Sequence, residues 1–329
     1  MEILPPFRLR RPATVAEAVA ARAEHEDARY VAGGTDLLAN IRRGLQPASV
    51  LVDLSGVAEL GRIERDESGL RLGAAATLAE VARDQGIARD FPALAEAARS
   101  VAGPTHREMG TVGGNLCLDT RCLFYNQSEW WRGSNDYCLK YEGEICHVVP
   151  TSKRCYAAYS GDLAPALLVL DAEVEIAGPK GARRMPLADL FRDDGMDHLT
   201  LGRDELLVAV RLPAARAGLP SAYVKLRIRR SIDFPLAGIA MSLALEDGRI
   251  HEIRAALTGT NSRPFLLSGT ETLTGRDLDD DTIEAIGKLV QKQVSPVHTT
   301  TTRPQYRRRA IAAMSRRLVR RLAGSEPAA

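Results

Sequence analysis

The chain has 329 residues, 45% hydrophobic and 26% charged, with a formal net charge of +2, ordinary globular usage in a length that suits two or three domains. So small a charge gives no electrostatic footprint for nucleic acid, and 5% aromatics leave little surface for base stacking. The opening Met1-Glu2-Ile3-Leu4-Pro5-Pro6-Phe7-Arg8 has no apolar stretch behind a basic start, and no run approaches the roughly 18 apolar residues of a membrane span, so the expectation is a cytoplasmic protein without membrane contact.

Residues 1–58 read as a β-α-β unit. Thr14 and Glu17 have the spacing of a capping box at the head of a helix over 15–23. A strand over 29–32 runs into Gly33-Gly34-Thr35-Asp36, then a helix over 37–43 and a buried strand over 50–54. Strand and helix in alternation predict parallel pairing.

The second unit, 59–218, opens with short strands at 63–67 and 69–73. Thr77 and Glu80 form a second capping box for a helix from 78 to about 83, and an alanine-rich helix covers 92–100. The stretch 110–115 is glycine-rich, 118–158 is an insert rich in cysteine and aromatics, 162–170 is an apolar helix, and 172–177 and 205–212 are strands. The third unit, 219–329, has strands at 221–227, 236–245 and 250–257, then helices at 281–294 and 305–322. In the last helix Ile311, Met314, Leu318 and Leu322 recur at helical spacing and should face the core, which leaves the arginines at 307–309, 316–317 and 320–321 as a solvated face. His25, His198, His251 and His298 follow no metal spacing and read as packing or surface residues.

Two glycine-rich turns carry possible chemistry. Gly33-Gly34-Thr35-Asp36 stands between a strand and a helix, where successive N–H groups form an anion-binding nest. Gly110-Thr111-Val112-Gly113-Gly114-Asn115 offers a second. Neither fits a known nucleotide fingerprint, so the turns alone indicate a phosphate binder or two tight turns. The five cysteines lie between positions 117 and 155. Cys122, Cys138, Cys146 and Cys155, separated by 15, 7 and 8 residues, could hold an iron–sulfur cluster, a zinc ion or two disulfides. Zinc sites usually show close Cys pairs, disulfides are disfavoured without a secretion signal, and wide spacing suits a cluster wrapped by a loop.

Five stretches in order carry a resemblance over nearly the whole chain. They are Val31-Ala32-Gly33-Gly34-Thr35-Asp36-Leu37, Gly110-Thr111-Val112-Gly113-Gly114-Asn115-Leu116-Cys117, Ser160-Gly161-Asp162-Leu163-Ala164-Pro165-Ala166-Leu167, Lys225-x-x-x-Arg229-x-x-x-Asp233 and Tyr306-Arg307-Arg308. Together they resemble the flavoprotein family of the molybdenum hydroxylases, which includes the medium subunits of xanthine and carbon monoxide dehydrogenases. The resemblance implies an α/β (α+β) fold. A two-part FAD-binding domain, a small βαβ unit plus a mixed-sheet unit, would precede an α+β C-terminal domain with a three-stranded antiparallel sheet and helices.

The same resemblance implies the roles. Val31, Ala32, Gly33, Gly34, Thr35 and Asp36, with Thr111, Val112, Gly113, Gly114 and Asn115, would hold the diphosphate of FAD. Asp162 would accept from its ribityl or ribose hydroxyls, Lys225 would sit near the isoalloxazine ring, and no catalytic residue would belong to this chain. His106-Arg107-Glu108 departs from the family's Ile-Arg-Asn, and His106 and Glu108 receive no role. Cys117 would pack as a small apolar group, and His147 would not be a ligand.

The insert resembles that of the 4-hydroxybenzoyl-CoA reductase branch, which implies a [4Fe–4S] cluster on Cys122, Cys138, Cys146 and Cys155. The implied partners are a molybdopterin-binding large subunit, a small subunit with two [2Fe–2S] clusters, and ferredoxin as electron donor, in a dimer of heterotrimers. Electrons would run from ferredoxin through [4Fe–4S] and FAD to [2Fe–2S] and molybdenum, where 4-hydroxybenzoyl-CoA would be dehydroxylated. The same fold would serve an aldehyde or N-heterocycle hydroxylase. From a different class, the insert would be a zinc-binding interaction module without redox role.

Overall fold

The computed structural model describes residues 3–324. The first unit is β1 (Arg8–Arg10), α1 (Val15–Ala23), β2 (Arg29–Val31), α2 (Leu37–Arg42) and β3 (Val50–Asp53). Its sheet has the order β1-β3-β2 with both pairs parallel, as the alternation predicts. Val50, Leu51 and Val52 are buried because β3 is central, and a strand covered on both faces reads as an unbroken apolar run. Thr14 caps α1 by accepting from Glu17 N at 3.2 Å, but the Glu17 carboxylate reaches one residue further back than a capping box, to Ala13 N. Thr77 and Glu80 close the full box.

The second unit contains β4 (Ile63–Asp66), β5 (Gly69–Gly73), α3 (Leu78–Arg83), α4 (Gln85–Asp90), α5 (Pro92–Ser100), α6 (Pro104–Met109), α7 (Val112–Leu116), α8 (Glu129–Gly133), α9 (Leu163–Val169), β6 (Glu173–Gly178), β7 (Gly181–Pro186) and β8 (Leu206–Pro213). The strand order is β4-β5-β8-β6-β7 and every pair is antiparallel, which corrects the expected mixed sheet. The helices and the insert lie between β5 and β6 in sequence, and β8 returns to pair with both of them in the opposite direction. β7 has no apolar alternation to announce it. It is an exposed edge strand whose Arg183 and Arg184 discourage further pairing.

The third unit contains β9 (Ser221–Leu226), β10 (Ala237–Glu246), β11 (Arg249–Thr258), β12 (Phe265–Leu266), α10 (Asp280–Gln293) and α11 (Pro304–Leu322). Its antiparallel sheet has four strands, β12-β11-β10-β9, rather than the expected three. β12 is two residues long, too short for period-2 alternation to register in the sequence. Ile283, Ile286 and Val290 of α10 and Ile311, Leu318 and Val319 of α11 cover one face of it.

The arginine face of α11 needs one correction. Arg307 is fully buried and donates to the carbonyls of Leu236 at 2.8 Å, Val297 at 3.0 Å and Gly259. It lies one turn before Ile311, on the core stripe rather than opposite it. Burial pulls its pKa down to about 10.

The largest core lies between the second sheet and α3, α4, α5 and α9, around Leu72, Val81, Leu94, Leu163, Leu167 and Val210. It continues into the third unit through Tyr223, Ala240 and Ala256, so α9 is packed from two sides. That clamp fixes Asp162, the residue before α9. Among the described residues no helix is long and apolar enough to cross a membrane.

Candidate cofactor cleft and thiol cavity

The two glycine-rich turns meet in space. Gly33 presses against the end of α6: a Cβ there would stand 1.7 Å from the Met109 carbonyl oxygen. Gly34 has φ of 68°, which glycine adopts without steric cost. Among the described residues the amides of Gly33, Gly34, Thr35 and Asp36 donate no hydrogen bond within the protein, so this turn presents a row of free N–H groups.

The second turn is different. Val112 N donates to Ala76 O at 2.9 Å, Gly113 N to Ala74 O at 2.7 Å, and Gly114 N to Thr111 Oγ1 at 3.1 Å. The amides of Val112, Gly113 and Gly114 are spent on packing and on capping α7, so among the described residues this turn offers fewer open donors than the first, with the Thr111 amide still free. Thr111, Gly114 and Asn115 face the space between the turns, whereas Val112 and Gly113 lie behind, against Ala74. Asn115 Oδ1 accepts from Leu163 N at 3.0 Å and so ties this turn to α9.

Around the turns lies a cleft of about 850 Å³ whose wall includes Val31, Ala32, Gly33, Gly34, Thr35 and Asp36. Asp162 also reaches it. The buried carboxylate accepts from Tyr223 Oη at 2.7 Å and pairs with Lys225 Nζ at 3.1 Å. Burial raises the Asp162 pKa above the usual carboxylate range, with Lys225 pulling it back, and burial lowers that of Lys225. Lys225 also donates to Asp233 O at 3.1 Å and stands behind Asp162 rather than on the cleft wall.

Among the described residues, four buried polar atoms on this wall have no hydrogen-bond partner: Tyr30 Oη, His106 Nδ1, Asp119 Oδ2 and Arg121 Nε. Buried polar atoms are normally satisfied, so the cleft suits a ligand with many hydroxyl, phosphate or amide groups. Asp119 and Arg121 come from the start of the insert, and the sequence assigned neither of them to the cofactor. The Arg121 guanidinium pairs with Asp36 and lies 4.5 Å from the centre of the Phe234 ring.

The insert leaves and rejoins the second unit at one bridge. Arg121 N donates to Ala158 O, and Ala158 N to Arg121 O, both at 2.7 Å. Between them Cys122, Cys138, Cys146 and Cys155 are buried, free of disulfides, and line one small cavity of about 10 Å³ with Tyr125, Lys140 and His147. Burial pushes the Cys122 thiol up to about 11 and the Cys155 thiol to about 12. Among the described residues no three His, Cys, Asp or Glu side chains are close enough to hold a single metal ion. Gly143 lets the loop wrap Cys138, since a Cβ would stand 2.6 Å from Cys138 N. Cys117 lies outside this group, against the main core, as expected of a small apolar filler.

Residues 5–215 match the family described as FAD binding domain in molybdopterin dehydrogenase, and residues 221–322 the CO dehydrogenase flavoprotein C-terminal domain. The chain is 29% identical over 312 residues to a xanthine dehydrogenase FAD-binding subunit of Escherichia coli, covering 94% of this chain and 93% of that one. It is 33% identical over 275 residues to an aldehyde oxidoreductase FAD-binding subunit of Escherichia coli, covering 80% and 85%. The fold superposes on carbon monoxide dehydrogenase from Hydrogenophaga pseudoflava with a TM-score of 0.81 at 23% identity, over 99% of this chain and 100% of the other. With the free-amide turn, the cleft and both domain matches in place, the chain belongs to the FAD-binding medium subunits of the xanthine and carbon monoxide dehydrogenase family of molybdenum hydroxylases.

Proposed function

We propose that this chain is the electron-transfer subunit of a molybdenum-dependent 4-hydroxybenzoyl-CoA reductase, with FAD in the cleft and a [4Fe–4S] cluster on Cys122, Cys138, Cys146 and Cys155. The observation that carries the reading is the convergence of four buried, unbridged thiols on one cavity next to the cofactor cleft.

The cleft residues fit FAD. The free amides of Gly33, Gly34, Thr35 and Asp36 suit a diphosphate, and the missing side chains at Gly33 and Gly34 let it reach the backbone. Thr111 and Asn115 close the opposite side, Asp162 offers carboxylate oxygens, and the orphaned atoms of Tyr30, His106, Asp119 and Arg121 supply further partners. When bound, FAD supplies one- and two-electron exchange, and the protein's part is placement and exclusion of water. Lys225 touches Asp162 and stands off the cleft wall, so it would act on bound FAD through that carboxylate, holding its charge and position.

The thiols fit a cluster by donor chemistry. Four sulfurs without a disulfide are the ligand set of a [4Fe–4S] centre. The space between them is about that of one water, so the loop must spread to seat the irons. Ligation removes the thiol protons that burial otherwise retains.

The substrate site would then lie on a molybdopterin-binding large subunit, joined by a small subunit with two [2Fe–2S] clusters. Ferredoxin would be the donor and the assembly a dimer of heterotrimers. A second reading keeps both cofactors and changes the substrate to an aldehyde, favoured by the 33% identity to an aldehyde oxidoreductase subunit.

Anaerobic co-expression with the partner subunits tests both levels. We expect bound FAD and iron in the ratio of a four-iron cluster, with each of Cys122→Ala, Cys138→Ala, Cys146→Ala and Cys155→Ala losing iron but keeping FAD. Colourless protein with stoichiometric zinc would end the electron-transfer reading. Turnover of 4-hydroxybenzoyl-CoA with reduced ferredoxin, set against oxidation of aldehydes, separates the two substrates.

A further inference from the structure

One ion pair joins the two cavities. Asp119 lines the cofactor cleft, Lys140 lines the thiol cavity, and Lys140 Nζ stands 2.6 Å from Asp119 Oδ1. The side chains are only 6% and 10% exposed. Lys140 also donates to Thr120 Oγ1 at 2.6 Å and Thr120 O at 3.1 Å, and lies 4.3 Å from the centre of the Tyr125 ring. Asp119 Oδ1 accepts a second bond from Thr120 N at 2.9 Å. Desolvating two charges costs about as much as their attraction returns, so such a pair is weak evidence for a role in stability. Its placement calls for a different account: the lysine belongs to the wall of the thiol cavity and the carboxylate to the wall of the cleft.

We propose that Asp119 and Lys140 form a fixed dipole that sets the relative potentials of the two redox centres. The inference rests on the cluster reading above. One-electron reduction of a cluster adds a negative charge beside Lys140. A buried cation stabilises that charge and raises the cluster's potential, because Coulomb interactions are strong where water is excluded. Asp119 opposes this effect at the cluster, and at the cleft it disfavours the addition of negative charge to a bound flavin. Both residues are positioning residues that act through their fields.

The test uses the assembled complex, with iron and FAD assayed before any titration. The variants are Lys140→Met, Asp119→Asn, the double variant and Lys140→Arg. The cluster's midpoint potential is followed by its paramagnetic signal and the flavin's by visible absorbance. Lys140→Met should lower the cluster potential and Asp119→Asn should raise it. The double variant should fall between them, and Lys140→Arg should return to the wild-type value. Loosened packing would shift both single variants the same way, so opposite signs separate electrostatics from structure. Iron-replete variants with unmoved potentials, or with shifts of one sign, overturn the proposal. If Lys140→Met fails to retain iron, Asp119→Asn and the double variant still decide the sign. Wild-type complex with FAD but no iron would overturn the cluster reading, and this inference with it.

Discussion

Gly33→Ala tests whether the two glycine-rich turns must touch to make the cleft. The added Cβ would stand 1.7 Å from the Met109 oxygen and 2.3 Å from its carbonyl carbon, while real contacts of this kind stay above 3.0 Å. Relief therefore demands about 1.3 Å of movement between two stretches of backbone, with no flexible side chain to absorb it. Overpacking of this kind costs about 1–3 kcal/mol. If the cost falls on the geometry of the cleft, affinity for FAD drops about 5- to 150-fold. Gly34→Ala is the comparison. There the nearest atom is the end of the Leu38 side chain at 2.8 Å, so the main penalty is the left-handed φ of 68°, about 1–2 kcal/mol. FAD titrated into apoprotein, read by flavin fluorescence, measures both variants. Melting with and without FAD separates lost affinity from lost stability, because a ligand stabilises only the state that binds it. Gly33→Ala protein that binds FAD within about twofold of wild type would refute the reasoning.

Asp162→Asn removes the counter-charge of buried Lys225, and breaking such a pair costs about 3–5 kcal/mol. Since burial already lowers the Lys225 pKa, the unfolded chain binds the proton more readily than the folded one, and stability of this variant should rise with pH. A loss in melting temperature that stays constant from pH 7 to 9 would contradict this. His198 is held near pKa 4 by burial and bonds Leu118 O through Nε2 at 3.0 Å. The folded state refuses a proton that the unfolded chain accepts below its ordinary pKa of about 6.5. Acidification from there to about pH 4 therefore costs about 3 kcal/mol, and a His198→Gln variant should show a shallower slope of melting temperature over that window. Arg307→Met strands the carbonyls of Leu236 and Gly259, at about 1–3 kcal/mol each, while Val297 O keeps its bond from Thr299 N at 2.7 Å. Denaturant unfolding should show a loss of about 2 kcal/mol or more, and a loss under about 1 kcal/mol would show that water replaces the guanidinium.

The parts of the fold that were legible in the sequence are those governed by local rules. Capping spacing marked α1, alanine content α5, an apolar run α9 and apolar periodicity α11, and the run Val50-Leu51-Val52 marked a strand covered on both faces. The first turn was legible as a nest because its free amides follow from local backbone geometry. In the second, the sequence could not show that the Val112 and Gly113 N–H groups are taken, because their acceptors Ala76 and Ala74 lie far off in sequence. Strand direction in the second sheet and the brief β12 escaped for the same reason: long-range pairing decides them. Arg307 was legible in principle, since it shares the stripe of Ile311 and Leu318, but its charge argued for the surface. The four cysteines stood out by clustering, whereas the pairings of Asp119, Arg121 and Lys140 were not legible, because their partners come from different loops.

The paired hydrogen bonds between Arg121 and Ala158 have an evolutionary consequence. A segment whose two ends are already pinned together is a cassette, and closing a longer loop adds little entropy cost per added residue. A lineage could gain or shed residues 122–157 as one piece, provided that Asp119 on the cleft wall, which loses its buried partner Lys140, changed with it. Replacing that piece by a short turn, together with Asp119→Asn, should leave a chain that folds and takes up FAD, so the number of electron carriers would be a property of the graft, while the host fold remains constant.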